Sequence, residues 1–69
     1  MTKPSKKPAN FMIKSGAGPD ITPQGGHRMS IKAIRDFMEN WSMATDETAI
    51  LINTETRNSW SVDPGGRWI

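Results

Sequence analysis

The sequence predicts an α+β fold: one amphipathic helix packed on a small antiparallel sheet of two to three strands, preceded by a disordered basic N-terminal tail. Three observations carry this expectation. Apolar residues recur at steps of three and four from Ile31 to Trp41, which places them on one stripe of a helix. Two short runs, TAILIN and SWSVD, have the β-branched content and the alternation of strands. The first ten residues, MTKPSKKPAN, hold two prolines, three lysines and no apolar run; such a composition does not offset the entropy of ordering a chain.

Taken in order, residues 1–10 are the disordered tail. Phe11, Met12 and Ile13 follow and can add a further N-terminal strand or dock on the core. The next stretch, KSGAGPDITPQGGHR, contains four glycines and two prolines, so residues 11–29 read as an irregular segment, ordered by the packing of Phe11, Ile13 and Ile21. Ser30 then supplies a side-chain oxygen suited to a helix start. The stripe is Ile31, Ile34, Phe37, Met38 and Trp41, with Lys32, Arg35, Asp36, Glu39 and Asn40 between. The helix is expected to end at Met43 or Ala44, although ATDET offers no glycine cap. Ala33 at the third helical position precludes a full capping box.

Residues 30–69 form the helix-plus-hairpin domain in this reading. TETRN reverses the chain between the two strands, and Trp60 and Val62 fall on one face with Ser59 and Ser61 on the other. Asp63-Pro64-Gly65-Gly66 predicts a type II turn with a positive φ at Gly65, after which Arg67–Ile69 return as a short strand. Trp60, Val62 and Trp68 are expected on the face that receives the helix, since each aromatic buries roughly 150–250 Å². Trp68, near the end of the chain, is also a candidate anchor for a partner. In AILI, Ile50 and Ile52 are expected to face the helix, which leaves Ala49 and Leu51 pointing away. Cover for that second apolar face would come from residues 11–13, from another protein, or from a second copy in a homodimer.

Composition removes several functions. Cysteine is absent and His27 is the single histidine, so neither disulfides nor His/Cys metal cages are expected. No run approaches the roughly 20 apolar residues of a membrane span, and the N-terminal lysines have no apolar segment behind them, so a cytoplasmic protein is expected. His27 in GGHRM is a solvated loop residue. The carboxylate pairs Asp36/Glu39 and Asp46/Glu47 lack a second cluster to make a metal cage or a tuned acid and base. Gly16-Ala17-Gly18 neither follows a clear strand nor opens a helix, as a phosphate loop must. The Asn40-Trp41-Ser42 sequon lies inside the helix. No catalysis and no cofactor are expected.

Charge is divided along the chain. Residues 1–29 carry Lys3, Lys6, Lys7, Lys14 and Arg28 against Asp20 alone, whereas residues 30–69 are net acidic within an overall charge of +2. Two functions follow. The first is a protein-binding module, a regulator or inhibitor that occupies a surface of a larger partner through Asp36, Glu39, Asp46, Glu47, Leu51, Glu55 and Trp68, its charges setting specificity and encounter rate. The alternative is a nucleic-acid-binding accessory protein whose arm places Lys3, Lys6, Lys7, Lys14 and Arg28 on phosphates, with stacking on Trp60 or Trp68 as a supplement taken from the core.

Overall fold

The computed structural model describes residues 3–69. Three strands, β1 (Phe11–Ser15), β2 (Ala49–Asn53) and β3 (Ser59–Val62), and one helix, α1 (Ile31–Thr45), make a helix-on-sheet α+β fold, with one turn of 3-10 helix over Gly26–Arg28. β2 is central, and both neighbours run antiparallel to it. Ile13 lies opposite Leu51 and Ser15 opposite Ala49, while Leu51 and Ala49 lie opposite Trp60 and Val62. Opposed residues share a face, and this face receives α1. Ile13, Ile34, Met38, Ala49, Leu51 and Val62 close on one another as the fully buried core, with Phe37, Trp41, Trp60 and Trp68 half-buried around it.

The facing of β2 is therefore the reverse of the sequence expectation. Ala49 and Leu51 point to the helix; Ile50 and Ile52 point away, beside Met12 on β1. The register decides it. Trp60 and Val62 are the apolar side of β3, and their partners across the hairpin are Leu51 and Ala49.

Both sheet edges are occupied. Asp20–Thr22 runs against β1, where the Ile21 amide donates to the Ile13 carbonyl (2.7 Å) and the Ile13 amide to Thr22 Oγ1 (2.8 Å). Hydrogen bonds from the Thr22 hydroxyl and amide, with the Lys14 ammonium adding to them, hold the Asp20 carboxyl below its usual range. On the other edge Trp68 bridges to Val62, and the Ile69 amide donates to the Ser61 carbonyl at 2.9 Å. Paired edges offer no ladder to a stray strand.

Ser30 caps α1 as the sequence predicts, its hydroxyl accepting from the Ala33 amide at 3.1 Å. The helix continues to Thr45 and stops at Asp46, which takes the left-handed conformation (φ 58°) that glycine would otherwise supply. The next turn departs from the type II expectation: the positive φ falls on Gly66 (82°), not Gly65. The Asp63 carboxylate accepts from the Gly65 and Arg67 amides, each at 2.9 Å, and the Gly66 amide donates to the Asp63 carbonyl. That pattern ends a tight loop on a left-handed glycine.

The innermost line of α1 is Ile34, Met38 and Ser42: Ile34 and Met38 belong to the expected stripe, whose Ile31, Phe37 and Trp41 are half-buried, and Ser42 is the addition. The Ser42 hydroxyl is fully buried and has no hydrogen-bond partner among the described residues. A buried donor left unmade is unfavourable, and alanine is the better helix former. Ser42→Ala is therefore expected to raise stability by about 1 kcal/mol, read as a melting point higher by roughly 4–8 °C.

Candidate nucleic-acid interface

The disordered tail expected over residues 1–10 includes Met1 and Thr2, which lie outside the described residues. Residues 3–10 cross one end of the domain. Pro4 and Pro8 are buried, and Arg35 on α1 donates from Nη1 to the Pro4 carbonyl at 3.1 Å. Lys7 donates from Nζ to the His27 carbonyl and stands 5.8 Å from the centre of the Phe11 ring, within cation–π range. Proline explains how so polar a segment docks: its ring is apolar, it brings no amide hydrogen that must be satisfied, and its φ is already fixed.

Between this arm and the hairpin end of the sheet lies a cavity of about 330 Å³, lined by Lys3, Ser5, Lys6, Lys7 and Pro8 from the arm and by Asn53 and Trp60 from the sheet. Asn53 Oδ1 accepts from the Glu55 and Thr56 amides (2.9 and 3.2 Å). This fixes the side chain of a residue that lines the cavity. Trp60 is half-buried, and Lys3 and Lys6 are exposed. No lining residue is acidic.

Of the five basic residues singled out in the sequence, three converge here. Lys14 points to the outer face of the sheet beside Asp20, and Arg28 is exposed on the 3-10 turn. Trp60, a stacking candidate from the sequence, lines the cavity; Asn53 and Arg35 carry no such signal, since only the strand pairing brings Asn53 to the cavity and only the arm's path engages Arg35.

The acidic set is scattered. Asp36 pairs with Lys32 at 2.9 Å, Glu39 accepts from Trp68 Nε1 at 2.7 Å, and Glu55 accepts from Asn10 Nδ2 at 2.6 Å. Asp46 and Glu47 are exposed between α1 and β2. Leu51, expected at the surface, is fully buried under α1, and Trp68 is half-buried, tied to Glu39. The apolar outer face of the sheet instead consists of Met12, Ile50 and Ile52, with Ile69, 61% exposed, alongside.

Among the described residues no group of three or more His, Cys, Asp or Glu could hold a metal ion, and no helix is long and apolar enough to cross a membrane. No protein-family model, curated protein or solved structure matches this chain.

Proposed function

We propose that the chain is a non-enzymatic, nucleic-acid-binding accessory protein that grips phosphates with its N-terminal arm. The observation that supports this is the convergence of Lys3, Lys6 and Lys7 on one concave site with no acid in its lining. A phosphate backbone gives up counterions to such cations, and the gain is independent of base sequence. The helix contributes little: Lys32 is paired with Asp36, and Arg35 is held by Pro4, so α1 presents no basic face to a major groove.

Three phosphate contacts predict weak binding with a definite salt signature. For a single-stranded 12-mer, log K should fall against log salt with a slope of about −2, a loss of roughly 20-fold between about 50 and 200 mM. Fluorescence anisotropy with the full chain measures this directly. The triple variant Lys3→Gln, Lys6→Gln, Lys7→Gln should lose the slope and most of the binding. Absence of binding by the native chain at 50 mM salt would end the reading.

A second reading rests on a separate observation, the half-buried apolar outer face of Met12, Ile50 and Ile52 with exposed Ile69 beside it. An apolar patch of this kind fits a protein-binding module, a regulator or inhibitor seated on a larger protein, or a homodimer formed face to face. The arm lies at the opposite side of the sheet, so the two surfaces do not compete.

A further inference from the structure

Resting on the nucleic-acid reading, we propose that the cavity takes one unstacked base of a single strand, its ring against Trp60, its edge at Asn53 Nδ2 and its flanking phosphates on Lys3 and Lys6. The cavity supplies the first argument. At about 330 Å³ it stands at the small end of ligand sites, fit for one planar group and too small for a base pair. A duplex keeps its base faces inside the stack, so it cannot reach the indole; an unpaired base presents a π-face whatever its identity.

The polar groups divide the work in a way that suits such a ligand. Lys7 places one of its three N–H donors on the His27 carbonyl and stands over the Phe11 ring, so it positions the arm while its charge remains the third at the site. Lys3 and Lys6 stay exposed at the rim, where phosphates on either side of an inserted base would lie. Asn53, its oxygen held by two backbone amides, keeps its Nδ2 free to donate to an edge acceptor of the base, a ring nitrogen in adenine or a carbonyl oxygen in the other bases. The arm itself forms one wall. A base that enters is therefore enclosed by the same residues that hold its backbone, which couples stacking to charge.

The same base-plus-phosphate chemistry is offered by a free mononucleotide, and the test separates the two sources. Proton–nitrogen correlation spectra of the full chain would be recorded with a 12-nucleotide oligo-dA, with a 12-base-pair duplex and with dAMP. The three tryptophan indoles report independently, and Trp41 and Trp68 serve as internal controls. Expected are shifts of the Trp60 indole and the Asn53 side-chain amide with oligo-dA alone, and single-strand affinity about tenfold or more above duplex affinity. Trp60→Leu should reduce single-strand binding to the duplex level with the salt slope unchanged; Trp60→Phe should keep part of the preference.

Two results would overturn the inference. Arm lysine shifts without Trp60 shifts, and equal affinity for single strand and duplex, would reduce the site to phosphate contacts, leaving the nucleic-acid reading standing. dAMP matching oligo-dA in both shift and affinity would make it a mononucleotide site. Silence with every probe would instead remove the nucleic-acid reading itself.

Discussion

Leu51→Ala is expected to lower the unfolding free energy by about 2–5 kcal/mol, a loss comparable to the roughly 3–5 kcal/mol that a single core of this size supplies. The variant should be largely unfolded at room temperature by circular dichroism. Leu51 sits on the central strand, opposite Ile13 on one side and Trp60 on the other, and is fully buried under α1. Removing its branch opens a void that no surrounding element can close without breaking the ladder. Ile50, one residue earlier, faces outward opposite Lys14 and Ser61. Ile50→Glu should change stability by no more than about 1 kcal/mol. The same variant tests the protein-binding reading: if two copies meet through this face, sedimentation equilibrium should find a dimer for the native chain and a monomer for Ile50→Glu. A stable Leu51→Ala together with an unfolded Ile50→Glu would reverse the facing of β2.

That pair of substitutions marks where the sequence stops being informative. The helix was legible because its apolar and polar residues alternate with a definite phase; Ser30, Ile34 and Met38 occupy the positions that phase assigns. β3 was legible for the same reason, with Trp60 and Val62 against Ser59 and Ser61. AILI is apolar at every position, so a period of two has no phase to read. Its facing is fixed only by register, which the loop from Thr54 to Asn58 sets through the Asn53 amide donating to the Asn58 carbonyl at 2.8 Å. Counting back from β3 through that loop gives Leu51 opposite Trp60, a step that alternation within β2 alone cannot supply.

The candidate site was legible as charge and not as shape. Composition places Lys3, Lys6 and Lys7 in a basic stretch with Lys14 and Arg28, but it does not show what Pro4 and Pro8 do there. Proline rings are also apolar surface with little entropy left to lose, and both are buried here. Asn53 was invisible because it ends a strand far along the chain from the arm. Conversely, the acidic residues looked like a shared surface in sequence, whereas three of them have partners of their own. Arrangement, more than content, separates the arm lysines, which line one cavity, from the acids, which do not.

Gly66→Ala is expected to destabilise the domain by about 1–2 kcal/mol, the penalty of a Cβ in the left-handed region, and to lower the melting point by roughly 4–16 °C. The backbone there has φ 82°, and a Cβ would lie 3.2 Å from Met43 Sδ, so the end of α1 must also give way. Met43 is 53% exposed and can swing aside, which leaves the dihedral as the main cost. Gly65→Ala is the necessary companion. Gly65 lies outside the positive-φ region, and the nearest atom to an added Cβ is Asp63 Oδ1 at 3.4 Å. With its native conformation open to alanine, the substitution should be neutral, or should stabilise by about 0.4–1 kcal/mol through the unfolded chain. A type II turn would give the opposite order, because its positive φ belongs to the second central residue, Gly65. The two melting curves therefore decide the turn. They also decide how Trp68 is delivered to Val62 and Glu39, since the loop that Gly66 closes sets the register of the returning strand.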